Sequence, residues 1–199
     1  MAGGNGSPQQ GPCGWGGWVN WNYTVPDLIC PSDPVPVPAV GKVGHNNYAF
    51  SRGDTIHNVC NTTTGRGMFM YSTCVRIRDV LDGTSMTVSM GERARILSDP
   101  GYGKLNPAPI KQAEATVVAN LATNPATDPG ACLATVTSWN YIVPANAKAK
   151  WGVLWTDGQV ERTGFNTVLP PNAPSCSGDN NVNADSASGV YPPSSYHPG

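Results

Sequence analysis

Residues 67–91 read GMFMYSTCVRIRDVLDGTSMTVSMG, a stretch bounded by Gly67 and Gly91 with Asp82-Gly83 near its middle. The first part, 67–77 (GMFMYSTCVRI), alternates in part and has the composition of a strand. Arg76-Ile77-Arg78-Asp79-Val80 continues the pattern, and Asp82-Gly83 is a tight-turn signal. The run 84–90 (TSMTVSM) then sets Met86, Val88 and Met90 on one face, with polar residues on the other. The stretch predicts a β-hairpin over 67–91. A second Asp-Gly pair, Asp157-Gly158, lies between 151–156 (WGVLWT) and 159–163 (QVERT) and predicts another.

Outward from these hairpins, 43–50 (VGHNNYAF) reads as a strand. Residues 107–123 (PAPIKQAEATVVANLAT) read as the main helix, about 109–123. Pro109 suits its first turn, Ile110, Ala113, Val117 and Leu121 form one stripe, and Asn124-Pro125 ends it. Asp128-Pro129 predicts a short capped helix over 129–135 that carries Cys132. Residues 30–38 (CPSDPVPVP) are extended and outside any ladder, because proline fixes φ and removes the donor N–H. Residues 1–12 read as a flexible segment, 13–199 as one domain, and the stretch from about 170 as a loop-rich tail ordered by Cys176. The sum is an α+β domain of antiparallel hairpins, one main helix, long loops and disulfides.

Composition narrows the function. The chain has 199 residues, of which 23 are glycine and 19 proline, about a fifth of the total against roughly 12% in an average protein. Charged residues are 13%, about half the usual ~25%, and the net charge is -1. A nucleic-acid binder driven by phosphate neutralisation is excluded. No apolar run approaches the ~18 residues that span a bilayer. The six cysteines, Cys13, Cys30, Cys60, Cys74, Cys132 and Cys176, include no C-x-x-C pair. They read as disulfides of an oxidising compartment, not as a zinc ribbon. Their connectivity stays open, with Cys60–Cys74 favoured locally by the turn-rich segment between them.

Four residue groups are candidate sites. Trp15, Trp18 and Trp21 recur at every third position and make either a cluster on the core or an exposed stacking platform for sugar or polymer. His45, Asp54 and His57 have the composition of a zinc site with an open position for a hydrolytic water. Asp179, Asn181, Asn183 and Asp185 alternate oxygen side chains as in the first half of a calcium loop. Ala184 and Val190 stand there where such a loop has its glycine and final glutamate. In a chain with only 25 charged residues Glu92 is the best lone candidate for a general acid or base, beside a structural reading in which it pairs with Arg93. Asp82 and Ser85 offer a carboxylate and a hydroxyl in the Asp-Gly turn, with no G-x-S-x-G elbow to activate the serine.

Several phrases combine into a resemblance: Leu28-Ile-Cys-Pro-Ser-Asp-Pro34, the Asn-Asn-Tyr of 46–48, Val75-Arg-Ile-Arg-Asp-Val-Leu-Asp-Gly-Thr-Ser85 and Met90-Gly-Glu-Arg93. Trp155-Thr-Asp-Gly158, Thr163-Gly-Phe-Asn-Thr-Val-Leu-Pro-Pro-Asn172, Ser175-Cys176 and Ser195-Tyr-His-Pro-Gly199 complete it. Over about 26–199 the chain resembles the planctomycete-type, prepilin-like secreted proteins of unknown function that carry an H-x9-DG motif near the C-terminus. The resemblance implies the globular head of a type IV pilin or type II secretion pseudopilin, cut out of a longer protein. The family's leader and apolar helix would precede it, and the motif would continue beyond His197. It implies an extracytoplasmic structural or interaction module, whose partners are other pilin-like subunits or an extracellular polymer, without membrane contact by this segment. It supplies no catalytic residue. Two other readings stay open: a hydrolase of an extracellular substrate, metal-assisted through His45, Asp54 and His57, and a carbohydrate-binding module using the tryptophans. Calcium and zinc are the ions these candidate sets would take.

Overall fold

A computed structural model describes residues 19–37, 44–95, 112–113, 116–118, 128–142, 147–148, 151–178 and 187–197. Among them, short strands dominate and two single-turn α-helices interrupt them, a mixed α+β arrangement. A three-stranded sheet has β1 (Tyr48–Ser51) at its centre. β4 (Met90–Glu92) pairs with it antiparallel, with Tyr48 opposite Glu92, and β9 (Gly164–Phe165) pairs with it parallel. A four-stranded sheet runs in the order β11 (Gly189–Val190), β10 (Ser175–Ser177), β5 (Thr116–Val118), β8 (Ala147–Lys148). Two small hairpins, β2–β3 (Phe69–Met70 and Thr73–Cys74) and β6–β7 (Val136–Thr137 and Asn140–Tyr141), are the other paired strands among the described residues. Among the described residues, no helix is long and apolar enough to cross a membrane.

The hairpin predicted over 67–91 is replaced by two different pairings. Met70 pairs with Thr73 across a two-residue turn in which Ser72 has φ 52°, so the first strand folds back at once. Beyond it, Ile77–Asp79 forms a 3₁₀ turn, with Asp79 Oδ2 accepting from the Arg76 amide at 3.0 Å. Asp82-Gly83 does make a tight turn, with Gly83 at φ +85°, a conformation glycine adopts without steric penalty. No strand partner returns across it. The second half of the stretch instead sends β4 to the distant β1, because that register builds the sheet against the Ala49–Trp151–Phe165 core. Met86, Val88 and Met90 are exposed.

The other departures have local causes. The helix expected over about 109–123 is contradicted at Thr116–Val118, which lie as β5 between β10 and β8. Thr-Val-Val is β-branched throughout and suits a strand with neighbours on both sides. The hairpin expected at Asp157-Gly158 gives way to a one-turn helix α2 (Val160–Thr163), because Asp157 organises the turn. Its Oδ1 accepts from the Gln159 amide at 3.1 Å and its carbonyl from the Thr163 hydroxyl at 2.7 Å, while its Oδ2 meets Arg162 Nε at 3.0 Å. The reading of the cysteines as disulfides fails at three of them: Cys60 and Cys74 are not bonded to each other, and Cys30 also carries a thiol. Cys60 is buried with Val59, Val160 and Tyr191, and its thiol lies 2.6 Å from Gln159 Oε1. Cys74 is exposed on the small hairpin.

Other expectations hold. The short helix forms as α1 (Gly130–Leu133), with Asp128 Oδ1 accepting from the Gly130 amide at 2.9 Å. Residues 31–37 make no ladder. The segment after 170 holds more than loops, since β10 and β11 are buried throughout. Cys132 and Cys176 form a disulfide that fastens α1 to β10, their Cα atoms 5.7 Å apart. Around it pack Tyr141, Ala147 and Val190.

Candidate functional site

The charge-poor chain places an unusual share of its charge inside. Arg93 and Arg95 are almost fully buried, and so are Glu161 and Arg162. Strand alternation explains the first of these. Along β4 and its extension successive side chains point to opposite faces, so Glu92 turns away from the interior and Arg93 into it. The Glu92–Arg93 ion pair read from the sequence is therefore not formed. Arg93 lies over the Trp151 ring, its Cζ 4.1 Å from the centroid, and donates to Ser175 Oγ at 3.0 Å. Burial pulls its guanidinium pKa down to about 10, against the favourable fields of Tyr141, Tyr191 and Glu161. Arg95 meets the buried carboxylate of Asp33 at 3.4 Å, and its backbone amide donates to the same carboxylate at 3.1 Å.

Glu92 turns the other way, to where two further segments arrive. Asn47, on the approach to β1, accepts the Cys30 amide at its Oδ1 (3.0 Å), and its own amide donates to the Leu28 carbonyl at 2.7 Å. These bonds fix the turn at Cys30, whose side chain is buried. From the C-terminal side, the Ser194 amide donates to the Glu92 carbonyl at 2.9 Å, which lays 191–197 along β4. Asn172 Oδ1 accepts the Ser195 amide at 2.8 Å, and Ser195 Oγ accepts the His197 amide at 3.0 Å while donating to Glu92 Oε2 at 3.2 Å. The imidazole of His197 is thereby delivered to Cys30 and Glu92. Its Nε2 stands 3.3 Å from Cys30 Sγ and 3.4 Å from Glu92 Oε2. Sulfur, nitrogen and oxygen lie within 4.8 Å of one another. Tyr48 borders the group; its phenol pKa is raised first by burial, then by the neighbouring Cys30 and Glu92.

This arrangement is not a cysteine–histidine–acid relay. A relay places nucleophile and acid on different ring nitrogens, so that one nitrogen takes a proton while the other is oriented. Here both neighbours address Nε2. What the three donors share is a point of convergence.

Of the residues singled out from sequence, Glu92 belongs to this group. The sequence marks Cys30 as a disulfide former within the Leu28–Pro34 phrase and His197 as part of a terminal phrase; 62 residues separate Cys30 from Glu92 and 105 separate Glu92 from His197, so no spacing rule joins them. His45, Asp54 and His57 are not brought together. His45 is buried where its backbone bridges to Val153, Asp54 is ion-paired with Arg66, and His57 is exposed. Asp82 and Ser85 are exposed in their turn. Trp21 is half-buried and packs edge-on against Trp155, with centroids 6.0 Å apart. Trp15, Trp18, Cys13 and the calcium candidates Asp179, Asn181, Asn183 and Asp185 lie outside the described residues.

A family model described as a protein of unknown function (DUF1559) matches residues 5–199. No curated protein and no solved structure matches. With almost the whole chain covered by that one match, the protein belongs to the DUF1559 family, whose function is unknown.

Proposed function

We propose that this chain is an extracytoplasmic structural or interaction module, the head of a pilin-like protein that works in assembly, adhesion or secretion. The observation that carries the reading is the outward apolar surface of 77–90. Ile77, Leu81, Met86 and Val88 are 77%, 92%, 79% and 54% exposed, in a stretch that makes a turn and a strand edge instead of closing on itself. Exposed apolar residues this close along the chain of a charge-poor molecule suit contact with other subunits. The Cys132–Cys176 disulfide agrees with an oxidising compartment.

The test expresses the full gene in its own host with Leu81→Glu and Met86→Glu. Crosslinking on intact cells reports neighbours, and external protease reports display. The reading expects the unaltered head to be cut by protease without lysis and crosslinked to partner subunits, with the double variant displayed equally but no longer crosslinked. Protection from external protease, or crosslinking indifferent to both substitutions, overturns it.

A further inference from the structure

The geometry points to a binding site for a divalent transition cation of the zinc type, formed by Cys30 Sγ, Glu92 Oε2 and His197 Nε2. These are the donor types such an ion takes, a thiol sulfur, an imidazole nitrogen and a carboxylate oxygen. The two spacings made by His197 fit as well, and Sγ and Oε2 lie within 4.8 Å of each other. A tetrahedral zinc with sulfur at about 2.3 Å and nitrogen or oxygen at about 2.0 Å holds its donors roughly 3.3–3.6 Å apart. Nε2 lies 3.3 Å from the sulfur and 3.4 Å from the carboxylate oxygen.

A second observation marks the same place. Glu92 Oε1 is buried without a hydrogen-bond partner, an arrangement that costs free energy unless something else satisfies the oxygen. A cation that takes this carboxylate through both oxygens, Oε1 as well as Oε2, does so. The surrounding hydrogen bonds are those expected around a ligating set. Ser195 Oγ holds Glu92 Oε2, and Asn47 holds the backbone of Cys30. Access is open, with the His197 side chain 43% exposed and that of Glu92 19%. Bound there, the ion joins the Cys30 turn, β4 and the C-terminal segment, three stretches that otherwise meet through hydrogen bonds. Its function is to fasten these segments together, independently of the assembly role proposed above.

The test uses the full chain, freed of metal and kept anaerobic so that Cys30 stays a thiol while Cys132–Cys176 stays bonded. Zinc is titrated against a chromophoric chelator, and cobalt(II) serves as a spectroscopic probe. The expected result is one equivalent of either ion per chain, a sulfur-to-cobalt charge-transfer band, and a melting temperature that rises with zinc. Cys30→Ser abolishes the charge-transfer band. His197→Ala and Glu92→Gln each weaken zinc by about tenfold or more. His197 is part-exposed near the C-terminus, so His197→Ala leaves the metal-free far-ultraviolet circular dichroism unchanged and separates lost binding from lost folding. Cys74→Ser and His57→Ala, at exposed positions, leave binding intact. Absence of stoichiometric binding overturns the proposal, and so does binding that follows Cys74 or His57 or survives His197→Ala undiminished.

Discussion

Trp139 shows how a single residue can carry a strained conformation that its neighbours require. It and Ser138 form the two-residue turn of the β6–β7 hairpin, with φ 67° and 47°. Two left-handed residues in succession match the right-handed twist of the flanking strands, which is why Asn-Gly is favoured at such turns. Here the second position is a tryptophan, 71% exposed. A left-handed conformation costs an L-residue roughly 1–2 kcal/mol, and glycine avoids that cost. Trp139→Gly is therefore expected to stabilise the protein by about 1 kcal/mol, raising the melting temperature by roughly 2–4 °C in calorimetry. A fall instead means that the indole makes contacts worth more than the strain. The hairpin was not legible in the sequence because Ser-Trp carries no turn signal, whereas Asp128 ahead of α1 was legible because a cap acts on amides two or three residues away.

Elements in this protein are short, so what joins them matters more than what they are. α1 is one turn long and contributes little by itself, since a helix of that length barely repays its nucleation. Its disulfide to β10 closes a separation of 44 residues, for which the chain-entropy estimate is about 4 kcal/mol. Cys132→Ser with Cys176→Ser is expected to lower unfolding stability by about 2–4 kcal/mol in urea titration. The midpoint should fall while cooperativity is retained, and an unchanged midpoint refutes the assignment. The same scale explains the misread stretches. Periodicity in 109–123 fitted a helix stripe, yet Thr116–Val118 had two strands to lie between, and ladder pairing with β10 and β8 overrode the local pattern. In 67–91 the Asp-Gly turn formed as expected, but a turn specifies a reversal and not which strand returns across it. Glu92 was singled out for its scarcity, and its partners came from residues 30 and 197, which no local rule connects.

For the whole molecule, the buried polar centre makes a pH prediction. Tyr141 is sealed in the disulfide core, where its hydroxyl donates to the Ser175 carbonyl at 3.0 Å and accepts the Ser175 amide at 3.0 Å. Burial raises its pKa well above the ordinary 10.0, the backbone bond and Arg93 opposing this less strongly. The unfolded chain thus loses this proton above pH 10.0 while the folded chain keeps it, so the phenol's contribution is complete below pH 10.0 and declines as pH rises. Arg93 acts in the opposite sense. Its folded pKa of about 10 lies below the ordinary arginine range, so above pH 10 the unfolded chain holds the extra proton and rising pH relieves the cost of burial. The two are separated by Tyr141→Phe. The stability lead of the unaltered protein over that variant, measured by denaturant titration, should shrink on crossing pH 10.0, and a constant lead refutes the assignment.

What the sequence by itself determined are features acting over a few residues or through composition. They are the α+β mixture, the capped helix at Cys132, the proline-held stretch after Cys30, the Asp82-Gly83 turn, and the family resemblance carried by short exact phrases. Tertiary structure alone decided which strands pair, which cysteines bond, which arginines go inside, and that Cys30, Glu92 and His197 meet. The physical reason is that strand pairing and side-chain convergence depend on which distant surfaces can be buried together, and the free energy of that burial is shared among segments whose local patterns do not refer to one another.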